Sequence, residues 1–379
     1  MVNERRSPDL ALLVIAGLLT AIGIVMVFSA SSAVAYTQHH DAAYYLKREL
    51  VWAAIGIVAL VAATRMDYAK LRPAAPWILG LAVALLVAVL LPHVGFVEGG
   101  ARRWISLRYV TFEPSEFAKL ALLLFMAALL SGRSEGARSF RQTGFPLLLW
   151  VGACFALVMR EPDLGTASIF LLTAFVMLFV AGARLAHLAI GVAVAVPTLL
   201  AFVYASPYRR DRFLAFLDPF KDPLRSGYHI IQSLYALGSG GWFGLGLGQS
   251  RQKFGYLPAQ HTDFIFSIIG EELGYVGALA VLLLFLAFAY RGIRIAMKAD
   301  DRFGFYLAIA ITSSIALQAF INIGVVTSSW PVTGVPLPFI SYGGTSLATT
   351  LFAVGLLASV SRGRKRSAAS ADVMHKKAS

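Results

Sequence analysis

The sequence predicts an all-α, polytopic integral membrane protein, and three observations carry that expectation. Of the 379 residues, 58% are hydrophobic and only 14% are charged, against about 25% charged in an ordinary soluble domain. Uncharged apolar stretches recur along the chain, several near the roughly 20 residues that cross a bilayer core. Lys and Arg outnumber Asp and Glu by 33 to 20, and nearly all of them fall between those stretches. So apolar a chain is not disordered, and a single cysteine, Cys154, excludes a disulfide scaffold. In a soluble protein a net charge of +13 would suggest nucleic acid. Here it reads as loop charge beside anionic lipid, and no nucleic-acid partner is expected.

Taken in order, the apolar stretches are 10–38, 50–64, 73–92, 116–130, 142–159, 164–183, 185–207 and 263–290. The run 303–361 has no charged residue and is too long for one span; Pro331, Pro336 and Pro338 divide it into a ninth and a tenth. The second and fourth spans are short. The first run is longer than the apolar part of a signal peptide and reads as a retained anchor. Ten spans place both termini on one side. Cytoplasmic termini put 19 of the Lys and Arg residues inside and 13 outside, the bias that membrane insertion favours. The expected organisation is one transmembrane domain, 1–361, with an extracytoplasmic loop, 207–262, between helices 7 and 8. A basic cytoplasmic tail, 362–379, reads as disordered.

The long loop can cross the membrane whatever its charge. Its seven basic residues face either lipid phosphates or a phosphorylated substrate. Residues 209–217 are basic and aromatic and fit an interfacial helix. Residues 226–250 are uncharged and glycine-rich, which fits turns or a re-entrant segment lining a cavity. Gly244, Gly246 and Gly248 would also let backbone N–H groups approach a phosphate, although no strand–turn–helix context makes them a nucleotide fingerprint.

Charges inside a membrane are costly, so each needs a partner or a function. Glu116 and Lys119 are three apart on one helix face and either pair with each other or line a polar cavity. Arg160-Glu161-Pro162-Asp163 forms a tight turn in which Asp163 is placed to cap the next helix. Glu271 and Glu272 are adjacent and cannot face one direction, so at least one should hydrogen-bond to a neighbouring helix. Asp263 stands where the basic loop re-enters the membrane. It is either the N-cap of the eighth helix or a carboxylate base at the lipid–water boundary. A helix N-terminus favours its ionised form and apolar burial the protonated form. A cluster of cations nearby would keep a base ionised at neutral pH.

Several motifs carry a family resemblance. They are Gly100-Ala-Arg-Arg-Trp-Ile-Ser-Leu107 with Phe112-Glu-Pro-Ser-Glu116, Glu161-Pro-Asp-Leu-Gly-Thr166, and Arg209-Arg-Asp-Arg-Phe213 with Leu217-Asp-Pro219. Further along come Tyr256-Leu-Pro258, His261-Thr-Asp-Phe-Ile-Phe266 and Gly270-Glu-Glu-Leu-Gly274, then Asn322, Thr333-Gly-Val-Pro-Leu-Pro-Phe339 and Ser341-Tyr-Gly-Gly-Thr-Ser346. In that order, over nearly the whole chain, they resemble the SEDS proteins, the membrane-embedded peptidoglycan polymerases of bacterial shape, elongation, division and sporulation. Gln232 to Gly241 and Gly246 to Lys253 look closer to the division and sporulation branch, FtsW-like rather than RodA-like. Three positions depart from the family pattern. Glu113 replaces a usual Gln, Arg108 a common Gly and His229 a frequent Gln, which alters polarity beside the expected site.

The resemblance implies ten transmembrane helices in the bacterial cytoplasmic membrane and a reaction on the outer face. The substrate would be lipid II. The growing undecaprenyl-linked glycan would be donor, and a β-1,4 bond would form with inversion and release of undecaprenyl diphosphate. Asp263 matches the family's catalytic aspartate and would be general base. Arg102, Arg103, Lys119, Arg209, Arg210 and Lys253 are candidates for the cations that stabilise the leaving diphosphate. Glu116 would orient Lys119 or the acceptor, and Asp163, Gln249, Ser250, His261, Thr262 and Ser341 are further candidate substrate contacts. A divalent cation, magnesium or manganese, would be able to share the cationic task, but no compact metal-ligand motif is visible to assign one. The implied partners are a class B penicillin-binding transpeptidase and other proteins of the division or elongation complex. The competing classes are a lipid II flippase, for which no inverted-repeat signal is visible, and a non-catalytic scaffold for a transpeptidase.

Overall fold

In the computed structural model, residues 7–98, 101–107, 110–132 and 140–363 are described, and the apolar stretches are helices. Helix α1 (Leu10–His39) starts on Asp9, whose carboxylate accepts from the Leu12 amide. It is followed by α2 (Tyr44–Arg65), α3 (Leu71–Leu90), α4 (Pro114–Ser131), α5 (Phe145–Arg160), α6 (Leu164–Val180) and α7 (Leu185–Tyr204). The long loop holds α8 (Pro207–Leu217) and α9 (Tyr228–Ser239), and α10 (Ile265–Met297), α11 (Arg302–Val326) and α12 (Gly344–Arg362) complete the chain. Pro331, Pro336 and Pro338 lie in the connection between α11 and α12, where the sequence placed the division. Of the tail 362–379, Arg362 ends α12 and Gly363 follows; the rest lies outside the described residues.

Eight of these helices among the described residues are long and apolar enough to cross a membrane: α1, α3, α4, α5, α7, α10, α11 and α12. The chain is therefore a multi-pass membrane protein. Helix α2 misses that standard because it begins on Lys47, Arg48 and Glu49 and ends on Arg65, and α6 because it has 17 residues. Helices α4 and α12 bury 72% of their apolar length and α7 only 11%, so α4 and α12 form the centre and α7 the rim. Close approach of α2 to α12 depends on small residues, with Gly355 facing Leu60 and Gly344 facing Trp52.

The chain is helical as expected, with one small addition between α3 and α4. There β1 (Gly95–Glu98), β2 (Ala101–Leu107) and β3 (Val110–Phe112) form an antiparallel sheet in that order. Phe96 pairs with Trp104 and Ile105 with Phe112, and a bulge lies between Phe96 and Val97. Strand alternation sends consecutive side chains to opposite faces, which separates Arg102 from Arg103.

Helix α10 is broken at Gly274, whose φ of 69° and ψ of −169° lie outside the helical region. The break leaves backbone groups without helical partners, which lipid does not tolerate. The glycine-rich segment after α9 supplies them. Leu245 and Gly246 amides donate to the Glu271 and Glu272 carbonyls (2.9 and 3.0 Å), and Tyr275 and Val276 amides donate to the Gly241 and Trp242 carbonyls (2.8 and 3.1 Å). At Gly244, with φ of 82°, a Cβ would strike the Glu272 carbonyl. The uncharged glycine-rich run thus stitches a broken helix, and its glycines serve that contact.

The two glutamates beside the break are both buried. Although adjacent on the helix and expected to face apart, both carboxylates reach one short segment, because the helix is broken just beyond them. The Ser250 hydroxyl and Arg251 amide donate to Glu271, while the Ser250 amide and the Ser29 hydroxyl donate to Glu272. Lys253 Nζ lies 3.6 Å from Glu272 Oε1.

Candidate active site

Asp263 lies two residues before α10. It is not the helix cap: Phe264 holds that position, without a side-chain cap bond. The backbone around it is fastened at three successive carbonyls. The Tyr342 amide donates to His261 O (2.9 Å), the Ser341 hydroxyl to Thr262 O (2.6 Å) and the Asn322 side-chain amide to Asp263 O (2.7 Å). All three donors come from α11 or the connection after it. The carboxylate itself is half-buried and receives no hydrogen bond among the described residues. Gly334, with φ of 73°, faces it, and a Cβ there would sit 3.6 Å from Oδ2. Burial pushes the Asp263 carboxyl up to about 6, while the Arg212 and Arg103 guanidinium groups hold it down against that and Asp163 pushes it further up. At neutral pH it is mostly ionised and still basic enough to take a proton.

Arg103 is held by the turn between α5 and α6. Its Nε donates to Glu161 O (3.0 Å), one Nη to Pro162 O (2.7 Å), and the other lies 3.8 Å from Asp163 Oδ2. Asp163 caps α6 by accepting from the Thr166 amide at 3.0 Å. Glu161 is fully buried, and neither carboxylate oxygen has a hydrogen-bond partner among the described residues. Burial, with Asp163 and Glu113 adding to it, raises Glu161 to about 9. Glu113, just ahead of α4, is raised to about 8 by burial, then by Glu116 and Asp163, against Arg103 and the Ser115 hydroxyl. Both are neutral at pH 7. The departure at Glu113 therefore adds no negative charge beside Asp263.

A second polar group connects through α11. Lys119 Nζ lies 2.8 Å from Glu116 Oε2 and donates to Gln318 at 2.9 Å, and the Thr349 hydroxyl donates to Glu116 at 3.2 Å. The four side chains line a cavity of about 20 Å³, large enough for one water. Gln318 donates to Pro336 O (2.9 Å) and Asn322, one turn on, to Val335 O (2.8 Å). The Glu116–Lys119 pair is thus linked to the Asp263 backbone through one helix and the segment it holds.

The structure brings Asp263, Arg103 and Asp163 together, with Glu116 and Lys119 at one remove. The other expected contacts are differently placed. Arg102, on the opposite face of β2, donates to Leu90 O at the end of α3 (3.3 Å). Ser250 and Lys253 are taken up by Glu271 and Glu272. The Ser341 hydroxyl bonds Thr262 O and accepts from the Leu337 amide (2.8 Å), and Thr262 donates to Ala259 O (3.2 Å). Arg209, half-buried, donates to Phe202 O (3.1 Å), and Arg210, on the exposed side of α8, lies 3.6 Å from Asp211. Gln249 is exposed. The His261 ring sits 4.6 Å from that of Tyr45 and 5.7 Å from that of Tyr342. Burial holds it down to about 4, so it is neutral. Arg108 lies outside the described residues.

Sequence reasoning gave no site role to Arg212 and Asn322, although both stand in the motifs, and passed over Gln318. The signal for Arg212 is helical: it is three residues before Ala215, which is buried, whereas Arg210 is off that face. No three His, Cys, Asp or Glu side chains among the described residues converge to hold a metal ion. The groups that oppose burial at Asp263 are guanidiniums, a donor set unsuited to a cation, so no step through a metal is derived.

These features define a class: a multi-pass membrane protein with a rigidly backed, arginine-flanked carboxylate at one end of its helix bundle. The family model described as cell cycle protein, covering FtsW, RodA and SpoVE, matches residues 9–366, and the chain belongs to that family. It is 47% identical to stage V sporulation protein E of Bacillus subtilis, over 96% of this chain and 99% of that protein. It is 43% identical to a probable peptidoglycan glycosyltransferase FtsW of Trichlorobacter lovleyi, over 94% of each. Among solved structures, a chain from work on a peptidoglycan synthase complex that coordinates polymerization and crosslinking superimposes with a TM-score of 0.77. It is 31% identical and covered to 99%, with 95% of this chain included. The rod shape determining protein RodA of Thermus thermophilus gives 0.70 at 28% identity, with 95% of this chain and 98% of that one covered.

Proposed function

We propose that the chain is a peptidoglycan glycosyltransferase that joins lipid II units by inverting β-1,4 transfer, with Asp263 as general base. The observation that carries this reading is a half-buried carboxylate, flanked by Arg103 and Arg212, on a backbone tied at its own carbonyl and those of the two preceding residues. Asp263 takes the proton from the acceptor sugar hydroxyl, and the oxygen attacks the anomeric carbon of the donor glycan. The carbon–oxygen bond to undecaprenyl diphosphate breaks as the new one forms. Arg103 and Arg212 stabilise the departing diphosphate. Backbone held on both sides keeps the base within reach of the hydroxyl, and such positioning is a large part of catalysis.

The proposed topology has ten spans, with α2 and α6 added to the eight that length and composition select. Both termini are cytoplasmic, and the Asp263 end faces outward in the bacterial cytoplasmic membrane. A class B penicillin-binding transpeptidase is the proposed partner, with other division or elongation proteins around it. Higher identity to SpoVE and FtsW than to the RodA structure supports a division or sporulation role. The test is the purified protein with lipid II in detergent. Glycan polymer from the wild type and none from Asp263→Asn is expected; lipid movement in proteoliposomes without polymer would make it a flippase.

A further inference from the structure

Helix α10 carries Asp263 near its N-terminal end, and its other end holds a different feature. Arg291, Arg294, Ile295 and Lys298, spaced three or four apart, share one face of the helix. With Ser7, Asp9 and Ser361 they line a cavity of about 400 Å³, within the range of roughly 300–1,000 Å³ that holds small ligands. Asp9 is the only acid among the described residues of that lining. It is already committed, capping α1 through the Leu12 amide and pairing with Arg291. Arg294 bonds only the Tyr290 hydroxyl (2.8 Å) among the described residues, and Lys298 makes no ion pair among them. Three cations and one engaged carboxylate leave the cavity positive.

Compensating a helix C-terminus accounts for one cation in the last turn, and Lys298 already follows that turn. It does not account for a cavity. Next to the basic face runs a second stripe, Leu286, Tyr290, Ile293 and Met297, at the same helical spacing and exposed along its length. An anion site at the head of an apolar stripe matches a phosphate esterified to acyl chains, where a free phosphate would use only the head. We infer that this cavity binds the phosphate of an anionic glycerophospholipid, its acyl chains lying along the Leu286–Met297 stripe. The site lies at the opposite end of α10 from Asp263, 28 residues on from it at Arg291, and does not depend on the glycan chemistry.

The full chain is purified into phosphatidylcholine nanodiscs doped with phosphatidylglycerol, and the lipid retained after a detergent wash is measured. The wild type is expected to enrich phosphatidylglycerol, and Arg294→Gln with Lys298→Gln to lose that enrichment about tenfold. Arg294→Lys should keep most of it. Lys221→Gln with Arg225→Gln removes the same charge elsewhere and should change nothing. Equal loss in both double variants would reduce the effect to net charge, and retention in the Arg294/Lys298 variant would overturn the site. Release of the lipid by millimolar inorganic phosphate would overturn the phospholipid in favour of a free anion.

Discussion

The side-chain amide of Asn322 donates to the main-chain carbonyl of Asp263 at 2.7 Å and to that of Val335 at 2.8 Å. One residue of α11 thereby fixes the loop before α10 to the segment that faces its carboxylate. Asn322→Ala should cost about 2 kcal/mol of stability, from two lost hydrogen bonds at a buried position. Turnover should fall roughly 100-fold through displacement of the base. Thermal unfolding in detergent and polymerisation of lipid II measure the two separately, and a stability loss with full turnover would confine Asn322 to the fold.

Asp263→Asn should leave stability nearly unchanged, because the loop is held by backbone carbonyls that the substitution keeps. Activity should fall by a factor of about 10² to 10⁴. Equal polymer yield from wild type and variant would remove Asp263 from the chemistry.

The acid side of the pH–rate profile should have its midpoint near 6, where Asp263 takes up a proton. The sign of the next change is fixed by charge. Arg212 and Arg103 stabilise the carboxylate, so Arg212→Gln should move the midpoint upward and leave less active enzyme at pH 7. A midpoint that stays put or falls would mean that Arg212 does not act on Asp263.

Lys119→Met leaves Glu116 buried without its cation and should cost about 3–5 kcal/mol. Adding Glu116→Gln should recover much of that stability, since the pair as a whole is worth less than either half left alone. A double-mutant cycle by thermal unfolding checks it, and additive losses would mean the two are independent.

Gly244→Ala should destabilise the bundle strongly, because its Cβ meets the Glu272 carbonyl and its φ is positive. Gly80→Ala, with nothing within 4 Å of its Cβ, should be neutral or slightly stabilising. Expression and melting temperature of the two variants make the comparison, and equal behaviour would mean that the stitch at Gly274 is not strained.

The helices were legible because charge-free runs have one reading in lipid, and the division of 303–361 was legible from its prolines. The start of α2 was not, since Lys47, Arg48 and Glu49 lie inside the helix and shorten the apparent run. The small sheet escaped because its strands are shorter than the motif that contains them. The break in α10 escaped because a glycine in an apolar stretch carries no sign of its φ. At the site, residue types alone left Asp263 open between cap and base, and the family match decided the expectation. Choosing among basic residues needed geometry: strand alternation separates Arg103 from Arg102, and helix phase separates Arg212 from Arg210. Ser250 and Lys253 drew attention as polar residues in a promising loop, but they answer to two glutamates that the sequence could not place beside them.

Residues 261–263 are tied down at each successive carbonyl, so the main chain beneath the proposed base stays in place. Growth of a strand at such a point demands that the cargo travel. After each addition the lengthened sugar chain must slide one unit past a stationary carboxylate before the next lipid arrives, which makes release and advance of product, rather than movement of the protein, the natural pacemaker.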